Sequence, residues 1–498
     1  MASDPRSSIR PALYEGAFWL LLGSGGQKLL GLLSGAVLAR LLYPRDFGVF
    51  ALSALAYELA GLFSSFGITQ YVVSSREEPP SLEAAHRLNL GFATIVAVLL
   101  AAGASLFAAF FDEPELRRLV PVLALALPIG AWGAVQGALL ERHLRLAAVA
   151  RRRLVVNLGT VLVTIVLAFL GLGVWALVLP VPLRALAVSA LNRRLEPWRP
   201  RFRGPAEGAP RVLRYGAHIV GARAATYLSD QMDNAAVGRF LGSASLGLYD
   251  FAYQAAMMPL RWAGDLAQRL AFPAIAHEAR RRAVPAPAGP GAAATPTAFL
   301  QATRWTAYVT GPLVAGLAIV APDWVAVVYG ERWTPAVPLI RVLAPAALVL
   351  LLARPAVQWM QASGHEAWPA RVRWATIPLF ALGLALAVPR GLPAVAQAMA
   401  AVLVVQGLAM ILAASARGAT PLAAWGSAAG RGLLPAAGML AGLLAASMAF
   451  GDRGTPLERL AVAIPLGAGL QLAASFLTSR DQLREILGLV RHGMRRAR

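Results

Sequence analysis

Long apolar runs alternate with short polar, arginine-rich segments from one end of the chain to the other. Counting stretches of about 20 apolar residues, the length of a helix that crosses the hydrocarbon core, gives about fourteen. The first six fall near 17–41, 47–74, 88–111, 119–140, 154–172 and 174–191, and the next six near 212–240, 246–274, 299–321, 336–360, 371–389 and 392–414. A last pair falls near 431–450 and 457–479. Only helices suit such runs, because hydrocarbon offers no water to an unsatisfied backbone. The first run is too long for a signal-peptide core and lacks a small-residue cleavage site, so it is expected to remain as an anchor. The pattern predicts an all-α polytopic membrane protein.

Composition agrees: the chain is 58% hydrophobic and 14% charged, where soluble domains carry about a quarter charged residues. The 46 Lys+Arg against 25 Asp+Glu give a formal charge of +21. These cations lie between apolar runs, where they meet anionic lipid headgroups, so membrane lipids and not nucleic acid are the expected partners. The absence of cysteine removes disulfides, thiolate metal sites and cysteine nucleophiles. The six histidines show no paired ligand spacing, so neither a metal site nor a cofactor is expected. Gly23 to Lys28 has a phosphate-loop look, but it lies inside an apolar helix and the lysine follows no glycine. Close helix packing through small residues accounts for it better.

Orientation follows from the arginines. With the amino terminus inside, the cytoplasmic loops hold Arg142 to Arg153, Arg193 to Arg214, Arg280 to Arg282 and the tail to Arg498. The opposite loops hold Asp112, Glu113, Glu115, Asp323 and Glu331. The positive-inside rule thus predicts a multi-pass cytoplasmic-membrane protein with both termini cytoplasmic.

One stretch is written twice. Ala39-Arg40-Leu41-Leu42 leading to Phe47-Gly48-Val49-Phe50 recurs as Gly238-Arg239-Phe240-Leu241 leading to Leu246-Gly247-Leu248-Tyr249. Further matches follow in order, at offsets of about 217 and about 220: Val120-Pro121 with Val337-Pro338, Pro128 with Pro345, and Arg151 and Arg153 with Arg371 and Arg373. Two lobes of six helices with the same topology are the consequence, related by an axis along the membrane normal. The expected divisions are 1–191 for the first lobe, 192–211 for a basic cytoplasmic linker and 212–416 for the second lobe. Residues 417–479 form an appended helix pair, and 480–498 a basic amphipathic tail with Leu483, Ile486, Leu487, Val490 and Met494 on one face.

These residues carry a family resemblance. The run Ala39 to Gly48, with Tyr43-Pro44-Arg45-Asp46 at its turn, resembles the first-hairpin signature of the polysaccharide transporter (Wzx-like oligosaccharide flippase) family. That family belongs to the multidrug/oligosaccharidyl-lipid/polysaccharide exporter superfamily. Asp233-Asn234 to Gly242 with Leu246 to Tyr249, and Tyr329-Gly330-Glu331-Arg332-Trp333 with Ala336 to Leu339, are similar to the same family. The likeness covers roughly 15–415. It implies a MATE-like two-lobed carrier that moves undecaprenyl-diphosphate-linked oligosaccharide to the outer leaflet by alternating access. Polysaccharide polymerase and export machinery are the further partners it implies.

Charges inside the runs are the candidate site. Arg223, Asp230 and Asp233 follow at spacings of seven and three, and Arg261, Asp265 and Arg269 at spacings of four, so each set is expected along one helix face. The second set reads either as cargo contacts or as a self-neutralised ladder. Asp230 and Asp233 read either as ion-coupling groups or as partners of Arg223. Lys28, the one lysine, contacts cargo or pairs with Glu58. Arg304, Arg341 and Arg354 are further cavity candidates, while Arg40 and Arg239 end their helices and fix the turn or snorkel. The substrate-binding set is therefore Lys28, Arg223, Arg261, Arg269, Arg304 and Arg354, and the ion-coupling set Glu58, Asp230, Asp233 and Asp265. No catalytic residue is expected. Two rivals stay open: a cation-coupled drug or metabolite antiporter, which calls for a carboxylate-dominated cavity, and a membrane polysaccharide polymerase or ligase, which calls for a long outward loop.

Overall fold

The computed structural model describes residues 26, 30–65, 67–74, 79–200, 209–258, 275–278, 297–450 and 454–482. Among these residues the structure is helix, turn and short connection, with no strand. Among the described residues ten helices are long and apolar enough to cross a membrane, and eleven when the bent pair Leu116–Trp132 and Ala134–Arg142 counts as one span. The other three expected runs have simple explanations. The first is described only as the helix Leu30–Leu41, 246–274 lies partly outside the described residues, and 212–240 carries Arg223, Asp230, Asp233 and Arg239. Large apolar side chains face outward along the spans, among them Leu99 (66% exposed), Leu106 (77%) and Phe169 (68%). A water-soluble surface does not carry them at that density.

Contacts divide the chain into two compact units, Met1–Gly247 and Leu248–Arg498. The first holds α1 (Leu30–Leu41), α2 (Pro44–Ser65), α3 (Ile68–Ser74), α4 (Pro79–Phe111), α5 (Leu116–Ala124), α6 (Ala126–Trp132), α7 (Ala134–Arg142), α8 (Leu146–Phe169), α9 (Trp175–Val178) and α10 (Pro180–Leu195). It also holds most of α11 (Ala209–Ala256). Its apolar packing centres on small residues, with Ala60, Ala93, Ala97, Ala124, Leu127 and Ala131 forming one cluster. The expected run 119–140 is broken into α5, α6 and α7, with a 46° bend after Trp132. The bend leaves the Ile129 carbonyl without a helical donor, and Ser189 Oγ of α10 donates to it at 2.6 Å, while Asn192 Nδ2 of α10 adds a second hydrogen bond, at 2.9 Å, to the Gly133 carbonyl that already accepts the Gly137 N–H. A kink at membrane depth persists when a neighbouring helix satisfies the freed groups in this way.

The second unit holds α12 (Thr297–Trp324), α13 (Val337–Leu352), α14 (Arg354–Ala362), α15 (Ala367–Ala387), α16 (Leu392–Ser415), α17 (Leu422–Phe450) and α18 (Pro456–Thr478). Phe299, Trp359, Met360, Met410 and Ile411 form its largest described core. The last pair, α17 and α18, packs on α12. A Cβ at Gly432 would lie 2.5 Å from Arg304 O, Tyr308 Oη meets Ser475 Oγ at 2.9 Å, and Arg459 forks onto Asp323 Oδ1 at 2.5 and 2.9 Å.

Candidate functional site

The two copies of the repeated hairpin turn by different chemistry. In the first, Pro44 opens α2 where a missing N–H costs nothing, and Asp46 Oδ2 accepts from the Tyr43 N–H at 2.8 Å. In the second, Gly242 takes φ 84°, a left-handed conformation, and breaks α11 there. Both turns then deliver a glycine to one place. Gly48 and Gly247 stand at the same position of the repeat, as do Pro44 and Ser243. A Cβ on Gly48 would overlap the Ser243 carbonyl, and a Cβ on Gly247 the Pro44 carbonyl. The crossing is backbone on backbone and reciprocal. Beside it Glu113, 6% exposed, accepts from Arg45 Nη2 at 2.6 Å and from Ser243 Oγ at 2.8 Å. Glu115 takes the other arm of Arg45 at 3.0 Å.

Farther along the same helix pair the contacts are made by long polar side chains. Tyr227 Oη donates to Leu55 O at 2.5 Å, and Gln231 Nε2 to Glu58 Oε2 at 3.3 Å. Arg223 Nη2 donates to the Gln70 side-chain oxygen at 2.7 Å, with the amide assigned so that both its ends are satisfied. Asn234 Nδ2 donates to Gln231 Oε1 at 2.9 Å. On α10, Arg184 comes within electrostatic range of the Tyr57 hydroxyl, as does Glu58. Glu58, Arg184, Arg223 and Asp230 are exposed, and Tyr57 and Tyr227 are half-buried. The result is a polar wall built from α2, α3 and α11, with Arg184 of α10 in electrostatic range of it, inside segments that are otherwise apolar.

Of the expected site residues, three lie along this wall: Glu58 on α2, which accepts from Gln231, and Arg223 and Asp230 on α11, of which Arg223 donates to Gln70. Asp233 does not share that exposed face: it is 4% exposed and its Oδ1 accepts the Asn234 N–H at 2.9 Å. At about 100° per residue, a step of three turns it roughly 60° from Asp230, enough to carry it into packing. Arg304 and Arg354 lie in the second unit, on α12 and α14, both half-buried, and Arg304 Nε is buried without a hydrogen-bond partner among the described residues. Arg341 Nε donates to Ala318 O at 3.1 Å. Arg239 stacks over Phe110, 5.5 Å from the ring centroid. Lys28, Arg261, Asp265 and Arg269 fall outside the described residues, as does the tail beyond 482. Among the described residues no group of His, Cys, Asp and Glu could hold a metal.

Sequence reasoning passed over Arg184. A usable signal was there, since it is the one ionisable residue in the run 174–191.

The buried glycine crossing and the polar wall sit in a multi-pass helical fold that has solved counterparts. It resembles the lipid II flippase MurJ in its inward closed conformation, with a TM-score of 0.75 at 12% identity over 93% of this chain and 99% of that one. An inward-facing multidrug resistance MATE family transporter gives 0.57 at 15% identity over 79% and 94%. The chain therefore shares the fold of these two proteins.

Residues 37–338, more than half of the chain, match the family described as polysaccharide biosynthesis protein, and the chain belongs to that family. The succinoglycan biosynthesis transport protein ExoT of Rhizobium meliloti (strain 1021) is 24% identical over 367 residues, 71% of each chain. The lipopolysaccharide biosynthesis protein WzxC of Escherichia coli (strain K12) is 24% identical over 358 residues, 70% of this chain and 69% of its own.

Proposed function

We propose that this chain is a flippase. It carries undecaprenyl-diphosphate-linked oligosaccharide across the bacterial cytoplasmic membrane, by alternating access between two lobes, for synthesis of a cell-surface polysaccharide such as O-antigen, capsule or exopolysaccharide. The supporting observation is the polar wall of Tyr57, Glu58, Arg184, Arg223, Tyr227 and Gln231 in a chain of this family. A diphosphate headgroup cannot enter hydrocarbon unaided, because an unpaired charge there costs several kcal/mol or more. A wall with guanidinium donors replaces the lost water, and the isoprenoid tail stays in lipid. Names of relatives point the same way: one is a transport protein and one neighbour in fold a flippase.

The charged residues divide by role. Lys28, Arg223, Arg261, Arg269, Arg304 and Arg354 are proposed to meet cargo phosphates and sugars. Glu58, Asp230, Asp233 and Asp265 are proposed to bind a coupling ion. The chain does no covalent chemistry and needs no cofactor; the polymerase and export machinery that act on its product are its proposed partners. Both termini are cytoplasmic, which puts the Arg45–Glu113–Ser243 cluster at the outer end, where the crossed glycines close the path and must part for release.

Reconstitution decides it. Liposomes holding the purified chain and a short lipid-linked oligosaccharide, read with a leaflet-specific glycan probe, are expected to show protein-dependent movement between leaflets. Proton-driven efflux of an organic cation with no movement of any diphosphate-linked glycan would establish the antiporter instead.

A further inference from the structure

The connector that leaves α10 does not run free. Leu195 ends the helix, Glu196 turns the backbone to an extended conformation (φ −114°, ψ 118°), and the residues that follow lie along the first unit. The Glu196 side chain, 7% exposed, meets His143 Nδ1 at 3.5 Å and Arg145 Nη1 at 3.9 Å, and Arg145 Nη1 also donates to Leu195 O at 2.6 Å. Gln136 Nε2 reaches the Trp198 carbonyl at 3.5 Å, and the His86 ring stands edge-on to the Trp198 indole with 5.8 Å between centroids. Arg199 Nη1 donates to Glu196 O and Trp198 O at 3.0 and 3.1 Å and closes the turn. The indole packs on Tyr71 and Val72 of α3, Leu82 and Ala85 of α4, and Val135 and Leu139 of α7. The second unit does the same at the matching place: Trp425, at the start of α17, packs on a core to which α14 gives Ala356, Trp359 and Met360, and α14 lies 220 residues after α7. There the chain goes on as a membrane helix, whereas Trp198 anchors a connector.

The short helix α3 depends on this anchor. It follows Gly67, whose φ of 64° is a left-handed break after α2, and it is seven residues long. A helix that short keeps its shape through what it packs on. Tyr71 and Val72 belong to the core under the indole, while Gln70 takes Arg223 of α11 on the polar wall. α11 is thus tied to α3 twice, directly through Arg223 and along the chain that runs back from Ala209 to Trp198.

We infer that residues 196–199 are a strap, with Trp198 as its anchor, that holds α3 in place and so keeps Gln70 against Arg223. A displacement of α11 that takes up the slack of the connector draws the indole from its seat, frees α3 and parts Gln70 from Arg223. The strap stands without the flippase reading; in a carrier it couples the movement of α11 to the polar wall.

Hydrogen exchange on the purified full chain in detergent, read in peptides covering 68–74 and 193–200, tests the strap, because a segment that opens locally exchanges in proportion to its open population. Trp198→Ala is expected to raise exchange in both peptides about ten- to a hundredfold, less than a fully buried indole would give, since Trp198 is half-buried. Trp198→Phe leaves an aromatic ring in the seat and recovers part of the protection. Trp425→Ala makes the same truncation in the second unit and should leave 68–74 as in the wild type. If Trp198→Ala does not purify as a single species, Glu196→Gln replaces it. That change loosens the pairing with His143 and Arg145 without touching the core, and an increase of about two- to fivefold is expected for an ion pair whose cations are partly solvated. Faster exchange at 193–200 with 68–74 unchanged would overturn the hold on α3, and no change in either peptide would overturn the strap altogether. A rise shared equally by α8 and α10 would make Trp198 ordinary packing and overturn it as well. Glycan movement in liposomes is a separate measurement: its absence would remove the flippase reading and leave the strap standing.

Discussion

At the Pro44–Gly48 end of α2 nothing but backbone stands between it and α11: each glycine sits against a carbonyl of the other hairpin, and the buried Glu113 carboxylate ties Arg45 to Ser243. Around Leu55–Glu58 the same two helices are joined by a tyrosine hydroxyl and a glutamine amide reaching across, with Glu58 exposed. The first contact tolerates almost no change of spacing, since a shift of one methyl group is already an overlap. The second can lengthen, rotate or exchange a partner for water at little cost. One helix pair thus carries a contact that is either made or broken and another that adjusts. A seal suits the first, and a surface that meets a variable polar ligand suits the second.

The largest effect is expected where the seal is filled. Gly48→Ala or Gly247→Ala places a methyl on the opposing carbonyl, and overpacking of that kind costs about 1–3 kcal/mol. Helix propensity returns at most about 1 kcal/mol of it. The chain has no cysteine of its own, so the crossing can be read directly with Glu113→Cys and Ser243→Cys joined by a short thiol cross-linker. Adding Gly48→Ala should lower the yield about tenfold for each 1.4 kcal/mol. Gly61→Ala, where a new Cβ meets nothing within 4 Å, should leave it unchanged. Equal yields in all three would show that the two stretches do not differ.

Next in size is Glu113→Gln. The carboxylate side chain is 8% exposed but Arg45 is 52% exposed, so the loss is set nearer to a partly solvated pair than to a buried one, about 1–2 kcal/mol. Ser243 keeps an acceptor in the amide oxygen, so the charge is tested apart from the hydroxyl contact. Thermal unfolding in detergent should fall accordingly, and Arg45→Gln should add little on top of it.

The fold class was open to reading because hydrocarbon forces helices of a fixed length, and the hairpin motif because Tyr43-Pro44-Arg45-Asp46 is turn chemistry. The meeting of Gly48 and Gly247 was not open to reading. A glycine in an apolar run signals close approach to something, but its partner lies 199 residues away. Glu113 illustrates the same limit, since a loop acid predicted only to be outside turned out buried against two residues distant in sequence. Spacing rules gave Arg223 and Asp230 a common exposed side and could not give Asp233 its burial, because a period of 3.6 leaves a step of three off the line. Arg184 was hidden by the very signal that found its helix, as one charge barely lowers the hydropathy of a run.

In the adjustable stretch the effects should be smaller. Tyr227→Phe removes one hydrogen bond to the Leu55 carbonyl, about 0.5–1.5 kcal/mol by unfolding. A helical carbonyl keeps its i+4 donor, so no orphan group is left behind and the lower part of the range applies. A loss larger than that of Glu113→Gln would invert the comparison.

Glu58→Gln should change stability least, within about 0.5 kcal/mol, since its one cross-helix bond among the described residues is to Gln231 at 3.3 Å and the group is exposed. Its value lies in what it separates. A carboxylate that only lines the wall can become an amide and still accept from Gln231, so translocation in liposomes should run at the wild-type rate with or without a pH gradient. A carboxylate that carries a coupling proton cannot be replaced so: the variant would fold as well as the wild type and lose its response to the gradient. A large loss of stability would fit neither role, and would mean that the adjustable stretch is as rigid as the glycine crossing.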